Sequence, residues 1–317
     1  MAHSSDSPRA VDPLELDQEA LADLDFLIDQ SIAEDLRGRV DCTSLALFDR
    51  SFPGSATFVT RRAGRICGIS VLHRIIDRIA PRLQLATQVE DGAVVSARAA
   101  LAQLSGDARE ILLVERTCLN FLGRLCGIAT LTAEYVALIS GTDARLYDTR
   151  KTTPGWRRLE KFAVRCGGGH NHRLGLHDAI LIKDNHLAML RNLVGADVNV
   201  VELAVRKAQD WVRQNSAQLP AGSGTIIQIE VDRLSQLEQA LRAGPAIILL
   251  DNMSPELMRR AVVLRDRFAP EIELEASGGI TRETITAVAE TGIDRISVGA
   301  ITHSATNFDI GLDWNDF

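Results

Sequence analysis

Polar and apolar positions change rhythm near Gly141 of this 317-residue chain. Before it the pattern is mixed. Helical periodicity predicts a helix from Leu14 to Asp35 and a longer one from about Ala108 to Ile139, the latter with Ser105 or Asp107 as its N-cap. Between them lie β-leaning pieces, ATFVTRRAGRICG (56–68) and LQLATQVEDGAVVSARA (83–99), the second broken by a Glu90-Asp91-Gly92 turn. After Gly141 six short apolar runs follow: ARLYDTRK, AILIKDNH, IIQIEVD, AIILLDN, IELEASGG and RISVGA. The later runs alternate with helical segments such as LSQLEQALRAG and SPELMRRAVVLRD. Strand–helix alternation predicts parallel βαβ units, and six such strands predict a barrel or most of one.

Each run reads as apolar at its start and polar at its C-terminal end. The ends are Asp148-Thr149-Arg150-Lys151, Lys183-Asp184-Asn185-His186, Glu230-Val231-Asp232, Asp251-Asn252, Ser277-Gly278-Gly279 and Ser297-Val298-Gly299. In a parallel barrel these ends share one face, where active sites lie.

The net charge of −7 disfavours a general nucleic-acid binder. No uncharged apolar run of eighteen residues is present, so no membrane span is expected. The first residues lack a signal-like apolar core and read as a loose lead-in. Five scattered cysteines, none in a C-x-x-C pair, suggest reduced thiols in a cytoplasmic protein; Cys118 and Cys126 read as small core residues.

The charge is unevenly spread. Residues 145–191 hold ten Lys/Arg against four Asp/Glu, and four of the seven histidines. A local anion site explains this, with a solvated helix face as the plain alternative for Arg157, Arg158, Lys161 and Arg165. Inside this stretch CGGGHNHRLG (166–175) sets three glycines beside two histidines and an arginine. The glycines fit a loop that ligand or chain approaches closely. His170 and His172 share one side of an extended segment, which permits a metal pair, yet hydrogen bonding to an anion beside Arg173 fits better. His170 is also readable as structural. Arg150, Lys151, Arg173 and Lys183 together would make a positive pocket that only a polyanion justifies. Glu230 and Asp251 oppose them and suit Mg²⁺, sugar hydroxyls or a developing cation, or simply pair with nearby lysines. The SGG and SVGA ends fit a phosphate held by backbone amides. These parts suggest transfer of a phosphorylated sugar to a carboxylated acceptor.

YDTRKTTPGWRRLEKFAVRCGGGHNHRLGLHDAILIKDNHL closely resembles the quinolinate phosphoribosyltransferases, as do ERTCLNFLGRLCGIATLT, IEVD, ILLDN, EASGGIT and ISVGAITHS in the same order. The resemblance runs from about residue 20 to the end. It implies an incomplete α/β barrel over residues 126–302, an N-terminal α/β sandwich over 21–125 joined by 303–317, and a flexible lead-in over 1–20. It implies that quinolinate and phosphoribosyl pyrophosphate react, with Mg²⁺, to nicotinate mononucleotide, pyrophosphate and CO₂ in NAD synthesis. It implies a homodimer in which Arg116 crosses to the partner's site. On sequence alone Arg116 is a helix-surface residue paired with Glu115 or Glu110. By the same resemblance Arg116, Arg150, His172 and Arg173 grip quinolinate, with Thr149 in the same motif and Lys151 near both substrates. Lys183 meets pyrophosphate, Glu230 and Asp251 face the ribose and metal, and Ser277, Gly278, Gly279, Ser297, Val298 and Gly299 hold the 5′-phosphate. Lys151, Lys183, Glu230 and Asp251 are the catalytic set. Gln228 and Ala276 depart from the family pattern, where many relatives have Glu and Ser. A molybdenum-associated paralogue, which tends to lack the IKDNH lysine segment, a non-catalytic sugar-phosphate binder and a metal hydrolase using His170 and His172 are the rival readings.

Overall fold

A computed structural model describes residues 14–215 and 225–315. The first part of the chain contains α1 (Gln18–Leu36), α2 (Cys42–Leu47), β1 (Pro53–Thr60), β2 (Gly64–Arg65), α3 (Ile69–Ile79), β3 (Gln84–Thr87), β4 (Val94–Val95), β5 (Ala100–Asp107) and α4 (Ala108–Leu138). Helix α1 starts later than its periodicity predicts because Asp17 caps it, accepting from the Ala20 N–H at 2.7 Å. Of the expected lead-in, residues 1–13 lie outside the described residues, and Gln18 to Ala20 already belong to α1. Asp107, one of the two candidate caps, closes the start of α4 by accepting from the Arg109 N–H at 3.0 Å.

The second part contains β6 (Arg145–Tyr147), α5 (Arg157–Cys166), β7 (Ile180–Ile182), α6 (Asp184–Val194), α7 (Val200–Gln214), β8 (Ile227–Val231), α8 (Leu234–Ala243), β9 (Ile247–Asp251), α9 (Pro255–Phe268), β10 (Glu273–Ser277), α10 (Ile285–Ala289), β11 (Arg295–Ser297), α11 (Ala300–His303) and β12 (Ile310–Trp314). The chain's last strand, β12, returns to the first part and pairs antiparallel with β1, from Ala56↔Trp314 to Thr60↔Ile310. The resulting antiparallel sheet runs β12-β1-β5-β3.

Strands β6 to β11 form one parallel sheet in the order β6-β11-β10-β9-β8-β7. All six predicted strands are in it. The first strand lies beside the last, which is the cyclic order of an α/β barrel, with β6 and β7 unpaired with each other among the described residues. His170 forms a parallel bridge to Tyr147.

Helix α4 joins the two parts. It is long and apolar enough to cross a membrane by length and composition, although charged residues such as Arg116 and Arg124 interrupt it. Here it is a core helix: 61% of its most apolar window is buried, and it packs on α3, α5, β1 and β5.

One sequence expectation fails inside the parallel sheet. Three runs are not apolar at their start, because β6, β10 and β11 open with Arg145, Glu273 and Arg295. The register pairs Glu230 with Leu249, Leu249 with Glu275, Glu275 with Arg295 and Arg295 with Arg145. Side chains alternate along strands, so these residues and those two positions away share a face. That face carries a polar layer beneath the strand ends. Arg295 Nε donates to Glu275 Oε2 at 2.9 Å and Gln228 Nε2 donates to the same oxygen at 3.1 Å. Arg145 and Arg295 both pair with Glu273, and Arg295 lies 3.7 Å above the Tyr147 ring centroid. Alternation hides such a layer, since each charge is flanked by apolar residues of the opposite face.

Candidate active site

The three glycines after Cys166 answer to chain, not ligand. A Cβ on Gly167 would stand 2.5 Å from Ala129 O and from Thr132 Cβ of α4; one on Gly169 would stand 2.8 Å from Thr132 Cγ2. Gly168 has φ +87°, a left-handed conformation. The segment thus lies flat on α4 and turns, so that His170 reaches β6. There the His170 N–H donates to Leu146 O at 2.8 Å, and its ring stacks on Tyr147 with centroids 5.3 Å apart.

Asn171 and His172 turn inward instead. Asp148, fully buried at the end of β6, accepts from the His172 N–H at 2.7 Å, from Asn171 Nδ2 at 2.8 Å and from Lys161 Nζ at 2.5 Å. Lys161 Nζ also donates to His172 O at 2.8 Å. Lys161 therefore does not sit on a solvated face: its side chain is 2% exposed. Burial pushes the Asp148 carboxyl up to about 6, against the opposing pull of Lys161, and burial pushes the Lys161 ammonium below its ordinary value. These two residues are the main members of the site that sequence reading missed. From sequence Asp148 was marked only as a polar strand end and Lys161 only as part of the basic stretch.

Anchored in this way, the loop presents Arg173. Its Nη1 donates to Ala179 O at 3.0 Å, while its Nε is buried without a partner among the described residues. Arg150 Nε, at the end of β6, is likewise buried and unpartnered. Burial, and then the charge of Arg150, lower the Arg173 guanidinium from its ordinary value. Two arginines that repel each other with donors unsatisfied make a site for an anion.

Lys151 follows Arg150 and is exposed. Its backbone is held at both ends: its N–H donates to Thr149 Oγ1 at 3.0 Å, and its carbonyl accepts from Thr302 Oγ1 at 2.8 Å. A Cβ on Gly299 would lie 3.0 Å from Lys151 Cδ and 3.2 Å from the His303 ring, so lysine, glycine and His303 are neighbours. Sequence reasoning left His303 out, treating its segment as a family match without a role.

Lys183 caps α6, with its N–H donating to His186 Nδ1 at 2.9 Å. Its Nζ donates to Glu230 Oε2 at 2.6 Å. The lysine–carboxylate pairing held open from sequence is therefore present. Asp251 Oδ2 accepts from Asn252 Nδ2 at 2.8 Å. Glu230 and Asp251 point to the same face by register, and each keeps one carboxylate oxygen without a partner among the described residues. Two such hard oxygen donors suit Mg²⁺.

Ser277 pairs with Asp251 at the end of β10, and Gly278 and Gly279 have φ +92° and +60°. A Cβ on Gly278 would meet Asn252 Oδ1 at 2.3 Å, so that turn requires glycine. Ser297 and Val298 are buried at the end of β11, and Gly299 leads into α11.

Arg116 lies on α4 rather than at a strand end. It is exposed on α4 and forms no ion pair among the described residues. Glu110, one of its two anticipated partners, pairs with Arg82 instead.

The histidines do not make a shared metal pair. His172 Nδ1 accepts from the Arg173 N–H at 2.8 Å, and its Nε2 faces Glu275, while the His170 ring lies on Tyr147. Among the described residues a metal-like spacing occurs at Cys67, Asp91 and Cys166. Asp91 is already committed: Oδ1 accepts from the Gly68 and Ile69 N–H groups, and Oδ2 from the N–H and hydroxyl of Ser70. Burial raises the thiols of Cys67 and Cys126, the latter to about 12, as expected of inert core cysteines.

Comparison with known proteins agrees with this geometry. Residues 41–126 match the quinolinate phosphoribosyl transferase N-terminal domain family, and residues 128–313 its C-terminal domain family. The nicotinate-nucleotide pyrophosphorylase (carboxylating) of Mycobacterium leprae is 41% identical over 288 residues, covering 90% of this chain and 95% of its own. A probable enzyme of the same name from Bacillus subtilis is 36% identical over 287 residues, 90% of this chain and 92% of its own. The solved structure of the Francisella tularensis nicotinate-nucleotide pyrophosphorylase superposes with a TM-score of 0.82 at 37% identity, covering 93% of this chain and 97% of the other.

Proposed function

This chain belongs to the quinolinate phosphoribosyltransferase family, and we propose that the anion site of Arg150 and Arg173 receives the two carboxylates of quinolinate. The reaction is transfer of the phosphoribosyl group of phosphoribosyl pyrophosphate to quinolinate with loss of CO₂, in NAD biosynthesis. The observation that carries the residue assignment is the pair of buried, unpartnered guanidinium nitrogens on Arg150 and Arg173.

In this reading Arg150 and Arg173 hold quinolinate so that its ring nitrogen faces C1′ of the ribose. Orientation of this kind removes much of the barrier to a two-substrate reaction. The C1′–O bond to pyrophosphate breaks and the C1′–N bond forms. Lys151 and Lys183 offset the charge of the departing pyrophosphate, and Glu230 and Asp251 stabilise the cationic ribosyl centre. Glu230 and Asp251 would hold Mg²⁺ through substrate or water, and the ion would neutralise pyrophosphate charge. The ribosylated pyridinium then accepts the electron pair left at C2 when CO₂ departs, and a proton replaces it. The turns at Ser277-Gly278-Gly279 and Ser297-Val298-Gly299 offer backbone N–H groups to the 5′-phosphate. Arg116, exposed and without an ion pair among the described residues, serves the site of a second subunit in a homodimer. Five unpaired thiols fit the reducing cytoplasm.

The test is direct. Purified protein with quinolinate, phosphoribosyl pyrophosphate and Mg²⁺ should yield nicotinate mononucleotide and CO₂ in equal amounts, and nicotinate should replace quinolinate poorly. No product from quinolinate overturns the reading.

A further inference from the structure

Beneath the anion site lies a carboxylate that the reaction scheme above does not use. Glu275 is fully buried at the middle of β10. Its Oε2 is saturated by Arg295 Nε and Gln228 Nε2. Among the described residues its Oε1 is buried without a hydrogen-bond partner and stands 3.5 Å from His172 Nε2. An orphaned oxygen on a buried anion is costly, and native proteins keep few of them. On the other side of the ring, His172 Nδ1 accepts the Arg173 N–H. A neutral imidazole has one donor and one acceptor, so the ring's proton is left on Nε2, aimed at Glu275.

We propose that Glu275 is a positioning residue for Arg173: it holds the His172 ring in the Nε2–H tautomer, so that Nδ1 stays free to anchor the Arg173 backbone. The 3.5 Å separation shortens when substrate settles the loop, as hydrogen bonds of active sites commonly do. This rests on the reading that Arg173 grips quinolinate.

Glu275→Gln tests it with little change of volume. Arg295 and Gln228 are both donors toward Oε2, so the new amide oxygen must occupy that position. The amide NH₂ then takes the place of Oε1 and faces His172 Nε2. The ring answers by shifting its proton to Nδ1, where it opposes the Arg173 N–H. In ¹⁵N-histidine-labelled enzyme, with His172→Ala to assign the signals, wild type should show His172 as the Nε2–H tautomer and Glu275→Gln as the Nδ1–H tautomer. The KM for quinolinate should rise about tenfold or more, the scale on which misplaced binding groups act, while the KM for phosphoribosyl pyrophosphate stays put. A wild-type His172 already protonated on Nδ1 overturns the proposal without need of the variant. So does a folded Glu275→Gln protein with unchanged tautomer and quinolinate KM. If wild type makes no nicotinate mononucleotide, the substrate assignment falls instead, while the tautomer measurement still decides the His172–Glu275 relationship.

Discussion

Lys161 Nζ lies 2.5 Å from Asp148 Oδ1, with side-chain exposures of 2% and 0%. The pair ties α5 to the end of β6 and, through His172 and Asn171, fixes the loop that carries Arg173. Breaking one partner of a buried ion pair leaves the other charge uncompensated, which costs about 3–5 kcal/mol. Lys161→Met should lower stability by that amount in urea unfolding, and Lys161→Met with Asp148→Asn by clearly less. Equal losses in the single and double variants would show that the pair does not act as a unit.

The same carboxyl sets a pH dependence. Its folded value is raised to about 6 from the ordinary 3.8, chiefly by burial. Between those values the folded protein takes up a proton that the unfolded chain does not. This group's contribution to stability is therefore full below pH 3.8 and lost as pH rises through about 6. Activity should move the other way. A protonated Asp148 cannot accept from Lys161, Asn171 and the His172 N–H together, so kcat/KM for quinolinate should fall on acidification through about pH 6, without unfolding. Asp148→Asn should lack that acidic limb. A profile identical to wild type would remove Asp148 from the site.

Much of this was legible in the chain and some was not. All six parallel strands were marked by apolar runs, and their polar ends pointed to one face. The buried charges were harder to see. Arg145, Glu273, Glu275 and Arg295 alternate with apolar neighbours, so all four look like the solvent side of half-exposed strands, whereas Glu275 and Arg295 are buried and only Arg145 and Glu273 are partly exposed. Lys161 was misread for a related reason: a lysine on an amphipathic helix is usually solvated, and its burial is explained by Asp148, thirteen residues earlier, and by the His172 carbonyl, eleven residues later. The glycine triplet was recognised as a close approach, but no local pattern could say that α4 was what approached.

That approach is testable. Gly167→Ala would place a methyl 2.5 Å from a backbone oxygen and a side chain of α4, neither of which can swing away. Overpacking of this kind costs about 1–3 kcal/mol. Gly168→Ala would make only an ordinary contact with Val136 Cγ1 at 3.9 Å and has its left-handed φ against it, roughly 1 kcal/mol. The thermal midpoint should drop further for Gly167→Ala than for Gly168→Ala. The reverse order would mean that the backbone angle, not contact with α4, dictates these glycines.

Removing the Arg173 guanidinium should act on one substrate. A hydrogen bond to a charged group contributes about 1.5–3 kcal/mol, so Arg173→Ala should lower kcat/KM for quinolinate by roughly 10- to 100-fold. Because the Arg173 guanidinium lies near Arg150 and, among the described residues, donates only to Ala179 O, stability should change little. Unchanged quinolinate kinetics would take Arg173 out of the anion site.

Arg116 poses the sharpest question of assembly. It is exposed on α4 and forms no ion pair among the described residues. A residue so placed either does nothing beyond solvation or serves another copy. If two subunits share sites, Arg116→Ala and Lys151→Ala homodimers should each be nearly inactive. A heterodimer of the two would then hold one site with both lesions and one with neither. A statistical mixture, in which half the dimers are such hybrids, should recover about a quarter of the wild-type rate. Verified heterodimers that stay inactive, or an Arg116→Ala protein with full activity, would rule out the shared site and leave Arg116 as a surface arginine.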